Sequence, residues 1–164
     1  MEKSKLRGFI YLGEVLGMDG LANDVHTNSV VALETSSVCK IPFNRLEELS
    51  TKLPSLQRHF LQLMSREITQ EQQMTFLLNK RNAESRLAST LLSISSRNGR
   101  RGLSFNTFML PMTRKDLGNF LGLTMETVSR IFSRLQSNGY IEVDNREITV
   151  LDIAALQKLA KGPE

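Results

Sequence analysis

Cysteine is nearly absent from this chain of 164 residues, where Cys39 stands alone. One thiol excludes an internal disulfide, cannot by itself complete a metal site, and suits a reducing cytoplasm. No apolar run approaches the ~18 residues of a membrane-spanning helix. No stretch reads as a signal peptide, and no internal repeat marks a solenoid. Catalytic patterns are missing too: no His/Cys/Asp triad spacing, no glycine-rich phosphate loop and no paired metal ligands, which argues against an enzyme. The two histidines, His26 and His59, read as solvated side chains, one on a loop and one on a long helix.

Acidic residues are scarce in one stretch. The whole chain is 40% apolar and 23% charged, which suits one or two small units able to bury a core. Residues 80 to 134 hold ten Lys or Arg against three acids, so this stretch carries +7 of a total of +4 and the remainder is −3. Such asymmetry is what phosphate binding by one part of the chain requires.

Within the basic stretch, residues 113–135 (TRKDLGNFLGLTMETVSRIFSRL) read as a helix-turn-helix. Thr113 is placed to cap a first helix, Gly122 to take the positive φ of a tight turn, and Thr124 to cap a second helix. Leu117, Phe120 and Leu121 form one inward face; Leu123, Val128, Ile131 and Leu135 form the other, with Gly118 at the close crossing. The second helix leaves Glu126, Thr127, Ser129, Arg130, Ser133 and Arg134 outside, a set of donors and one acceptor suited to base edges in a major groove. Arg130 follows Glu126 by one helical turn, so the two share a face. Ser129 is expected beside a neighbouring base pair, and Thr127 and Arg114 at phosphates.

In chain order, glycines punctuate the first twenty residues, and Val30–Leu33 and Val38–Phe43 read as two late strands of an antiparallel sheet. A short helix from Phe43 to Leu49 leads to Pro54, which suits the first turn of a long helix ending near Leu78. Along it Leu61, Met64, Ile68, Glu71, Thr75 and Leu78 recur at the coiled-coil spacing and form a dimer seam, with Phe60, Leu63, Met74 and Leu77 as a second stripe. Asn82 caps a helix from Ala83 to about Ser96, followed by a basic loop, Arg97 to Gly102. Phe105 to Pro111 suits a strand. Residues 140–150 read as a hairpin turning at Asp144-Asn145, and Asp152 caps a final helix with Leu156 and Leu159 inside. A hairpin directly after a recognition helix is a wing, which places Arg146 at phosphate.

The words ALETSSVCKIPF, LMSREITQEQQM, NKRNAESRLA and above all MTRKDLGNFLGLTMETVSR resemble the Crp/Fnr regulators of bacteria, most closely the oxygen-responsive fumarate and nitrate reduction type. The resemblance runs from Gly8 to about Ala160. It implies an α+β fold in which a partial β-roll (cyclic-nucleotide-binding-like) precedes a long dimerisation helix and a C-terminal winged helix-turn-helix domain. The corresponding divisions are 1–53 for the remnant of the roll, 54–80 for the helix and 81–160 for the DNA-binding domain. The implied function is a transcription regulator, activating in anaerobic, oxygen-responsive control, that binds double-stranded DNA at an inverted TTGAT-type repeat. The resemblance further implies a polymerase contact near Arg101, for which the alternative is a solvated basic loop that aids DNA affinity. Ser129 is similar to the family's serine that discriminates the repeat.

Full-length relatives of that type hold a [4Fe-4S] cluster on three early cysteines and one later one. Cys39 sits where the later ligand belongs, and the other three are missing. The chain therefore looks like a fragment or truncated product, and no cofactor is expected in it: Cys39 would serve as one cluster ligand only if the missing N-terminal cysteines were present. In this chain it reads as a buried strand cysteine. The family's cyclic-AMP branch needs a guanidinium for the cyclic phosphate, and no Arg or Lys lies between Leu21 and Glu34; the resemblance puts Thr27 and Asn28 where that branch has its Arg and Ser. The expected partners are DNA, RNA polymerase and a second copy or a full-length homologue, with no membrane. The rival reading is a truncated dimerisation module that antagonises intact homologues without regulating by itself.

Overall fold

The computed structural model describes residues 6–79 and 82–162. The chain divides into two units, Gly8–Gln73 and one running from Met74 onward. Of the divisions expected from sequence, the one at Lys80/Arg81 lies outside the described residues. No described helix is long and apolar enough to cross a membrane.

In Gly8–Gln73 a 3-10 turn at Met18–Gly20 is followed by helix α1, Phe43–Lys52, and helix α2 begins at Pro54 and ends at Leu78. Pro54 takes the first helical position, where its missing N–H removes no intrahelical bond. The rings of Phe43 and Phe60 lie 6.0 Å apart and join α1 to α2. The two expected strands are a correction. Residues 30–33 and 38–42 form no ladder, and Val31 and Val38 are each 79% exposed. A strand is stabilised by partners remote in sequence, and two short runs are marginal alone; no described segment of this unit pairs with them. Cys39 is consequently exposed, not buried.

On α2 the two stripes differ in exposure. Leu61 (60%), Ile68 (57%), Glu71 and Thr75 are exposed, with Met64 and Leu78 half-buried, whereas Phe60, Leu63 and Met74 are half-buried and Leu77 is buried.

The second unit begins its core with helix α3, Ala83–Arg100, whose cap Asn82 accepts from the Glu84 N–H at 2.9 Å. Leu87, Leu91 and Ile94 point inward as their spacing requires. The basic stretch after Ser96 is a second correction. It continues the helix through Arg100, because Asn98 is buried and its carbonyl receives the N–H groups of Arg101 and Leu103, and Gly102 at φ +73° ends the run. Arg97 and Arg100 in the last turn complement the helix dipole.

Strand β1, Thr107–Met109, then leads to helix α4, Arg114–Leu121, and helix α5, Met125–Ser137. Strands β2, Ile141–Asp144, and β3, Glu147–Val150, precede helix α6, Ile153–Lys161, capped by Asp152. The sheet is antiparallel in the order β1-β3-β2. Pairing of Asp144 with Glu147 moves the hairpin turn to Asn145-Arg146, one residue beyond the expected position, with Asn145 at φ +53°. Leu117, Phe120, Val128, Leu135, Ile148 and Leu156 are each at most 1% exposed. Burying each contributes about 1.5–3 kcal/mol against the unfolded chain. In α6 the inner positions are Leu156 and Ala160, while Leu159 is half-buried.

Candidate nucleic-acid interface

The face presented by α5 depends on how α4 is held against it. Thr113 and Asp116 form a capping box: Thr113 Oγ1 accepts from the Asp116 N–H at 3.1 Å, and the Asp116 carboxylate accepts from the Thr113 N–H at 2.9 Å and its hydroxyl at 2.7 Å. These bonds, with a smaller effect of the Lys115 charge, hold the Asp116 carboxyl below its ordinary range. The turn into α5 needs two glycines. Gly122 is left-handed at φ +66°, and a Cβ on Gly118 would lie 2.7 Å from the carbonyl oxygen of Leu123. Any larger residue at Gly118 would collide with the backbone of the turn that leads into α5.

Thr124 caps α5, with its Oγ1 3.2 Å from the Thr127 N–H and 3.0 Å from the Thr127 hydroxyl. Val128, Ile131, Phe132 and Leu135 are buried, so Glu126, Ser129, Arg130, Ser133 and Arg134 are left exposed and Thr127 half-buried. The Glu126 carboxyl is lowered by its own backbone N–H, then by the Thr124 hydroxyl, with Arg130 contributing as a nearby charge. It is therefore ionised at neutral pH and available as an acceptor.

Arg146 lies exposed at the tip of the β2–β3 hairpin, whose backbone is fixed by the Leu110 N–H donating to the Arg146 carbonyl at 2.8 Å. The same folded unit thus carries the outer face of α5 and the hairpin tip. Two arginines of the expected set have protein partners. The Arg114 guanidinium lies over the Phe132 ring, 3.3 Å from its centroid, and burial lowers its pKa. Arg134 pairs with Glu84 of α3 at 3.5 Å. Phe132 and Glu84 were invisible as partners because each lies on a different helix from its arginine, and no periodicity reports such a contact.

Elsewhere, Arg101 caps α3, half-buried, and its Nη2 donates to Asn98 Oδ1. Thr27 and Asn28 direct their donors at the Asp19 carboxylate, which accepts from the Thr27 N–H at 2.8 Å and the Asn28 N–H at 3.2 Å. His26, on an exposed loop as expected, places Nδ1 3.1 Å from the other Asp19 oxygen. The His26 contact and these bonds hold the Asp19 carboxyl far below its ordinary range. Among the described residues no group of three or more His, Cys, Asp or Glu is arranged to hold a metal ion. An iron–sulfur cluster is normally held by four thiolates. The single Cys39 does not fit one.

Residues 85–159 match the Crp-like helix-turn-helix domain. Over 160 residues, 98% of this chain, the sequence is 46% identical to the transcriptional activator protein FnrA of Stutzerimonas stutzeri, covering 66% of that protein. It is 44% identical over 160 residues to the fumarate and nitrate reduction regulatory protein of Yersinia pestis, covering 64% of it. Among solved structures, FixK2 from Bradyrhizobium japonicum superposes with a TM-score of 0.63 at 29% identity, over 74% of this chain and 60% of that one. The chain spans a little under two thirds of the length of the relatives it matches.

Proposed function

Since the chain belongs to the Crp/Fnr family of transcription regulators, we propose that it is a sequence-specific DNA-binding regulator that reads an inverted TTGAT-like repeat as a dimer. The observation that carries this reading is the outer face of α5, where Glu126, Ser129 and Arg130 are exposed on a helix whose opposite face is buried. A second helix held this way enters the major groove. There the Arg130 fork suits guanine O6 and N7, the Glu126 carboxylate accepts from a cytosine amino group, and Ser129 sits by a neighbouring pair. Thr127, Arg114 and Arg146 take phosphates.

The seam of α2, with Leu61, Ile68, Glu71 and Thr75 exposed and Met64 and Leu78 half-buried, meets its copy in the dimer. The face around Arg101 contacts RNA polymerase. Relatives named as a transcriptional activator and as a fumarate and nitrate reduction regulatory protein support activation in anaerobic, oxygen-responsive control. The regulator acts in the cytoplasm.

The test is binding of the full chain to a duplex carrying inverted TTGAT half-sites and to one with permuted half-sites, followed by fluorescence anisotropy. Tighter binding to the intact repeat supports the reading; equal binding to both overturns it. A second reading is favoured by the exposure of Leu61 and Ile68, 60% and 57%: a dimerisation module that pairs with an intact homologue and blocks it. In that case the chain leaves the repeat unbound and reduces binding by a full-length relative mixed with it.

A further inference from the structure

The geometry points to Arg134 as a positioning residue and not a DNA contact: Glu84 holds it, tying the end of α5 to the start of α3. This rests on the DNA-binding reading above. Arg134 Nη1 lies 3.5 Å from Glu84 Oε2, and the Glu84 side chain is 16% exposed against 59% for Arg134. Glu84 is itself fixed, since its N–H donates to the Asn82 cap at 2.9 Å. Arg134 is equally anchored at its backbone, where its carbonyl receives the Asn138 N–H and the Ser137 hydroxyl, each at 3.0 Å.

Each charge also suits the helix end that bears it. Glu84 lies in the first turn of α3 and Arg134 in the last turn of α5, so carboxylate and guanidinium complement the two helix dipoles while pairing with each other. Glu126, Arg130 and Arg134 follow one another at four-residue spacing, so they form one stripe along α5. A tether at the last member of the stripe sets the rotation and tilt with which the other two meet the groove.

The sign of one substitution separates positioning from contact. Glu84 is a negative charge on the unit proposed to bind DNA, so by electrostatics alone Glu84→Gln strengthens binding. Positioning demands the opposite. Glu84→Gln and Arg134→Gln are each expected to weaken binding to the inverted repeat about threefold, the scale of a partly exposed ion pair. Both should leave the salt dependence unchanged, and the double variant should be no weaker than either single one.

Binding by Glu84→Gln as tight as the parent's, or a salt slope reduced by roughly one phosphate contact in Arg134→Gln, overturns the proposal. The free protein provides a readout without DNA. In amide spectra both single variants should move the Ser129 and Arg130 signals alike, and unmoved signals sink the tether. Should the parent fail to prefer the repeat, the function proposed above falls, and these spectra still decide the tether.

Discussion

Arg114, the first residue of α4, stacks its guanidinium 3.3 Å from the centre of the Phe132 ring on α5. The stack joins the two helices of the motif, and half-burial of the arginine makes the cation–π contact worth about 0.5–2 kcal/mol. Arg114→Ala should lower the thermal unfolding midpoint, weaken binding to all DNA sequences alike and flatten the salt dependence. Arg114→Lys keeps the charge and loses the planar stack, so it should lower the midpoint while preserving the salt slope. An unchanged midpoint in both variants would deny the stack a structural role.

The capping box gives stability a pH dependence. The Asp116 carboxyl is held below its ordinary value by the Thr113 hydroxyl and N–H. A group depressed in the folded state stabilises above its unfolded pKa, near 3.9 for Asp, and this contribution disappears as pH falls through the lower folded value. Asp116→Asn should cost about 0.5–1 kcal/mol near neutrality, at the low end because the site is partly solvated. The gap to the parent should narrow below about pH 4; a gap independent of pH down to pH 2 would contradict the carboxylate's role.

Base reading should localise to α5. Arg130→Ala is expected to cost about 1–3 kcal/mol and relax preference at one base pair per half-site. Glu126→Ala should relax a preference for cytosine while leaving nonspecific affinity equal or higher, since a carboxylate facing phosphates is repelled. Titration against single-base variants of the repeat measures both. Unaltered preferences in both variants would show that this helix does not read the groove.

In the proposed dimer Glu71 takes a seam position where an apolar residue would pack better. Across a two-fold axis it brings like charges together, which costs about 1 kcal/mol for a close solvated pair. Sedimentation equilibrium should find Glu71→Ala shifted toward dimer, by roughly fivefold in the association constant for that energy. A balance equal to the parent's would remove Glu71 from the seam.

Arg101 should separate activation from binding. Arg101→Ala is expected to lower transcription from a promoter carrying the repeat while leaving DNA affinity and its salt slope in place. Equal falls in both would assign the residue to DNA affinity instead.

Short-range chemistry made much of this molecule legible from its residues alone. Thr113, Thr124, Asn82 and Asp152 cap helices where their hydroxyl, amide or carboxylate oxygens predict it, Gly122 takes the positive φ of the turn, and α2 runs from Pro54 to Leu78. Each of these depends on atoms within a few positions along the chain. The outward set on α5 followed from the same periodicity, because burying Val128, Ile131 and Leu135 dictates what faces away. Tertiary structure decided the rest. Residues 30–33 and 38–42 carry strand-forming side chains yet form no ladder, since a ladder requires donors and acceptors from distant segments. The continuation of α3 through Arg97–Arg100 depends on burial of Asn98, which no local propensity for a glycine- and arginine-rich stretch reveals. Sequence likewise presents Arg114 and Arg134 as two free cations. Packing brings Phe132 beneath one and Glu84 beside the other, because contacts between helices are set by how the helices cross and not by spacing within either.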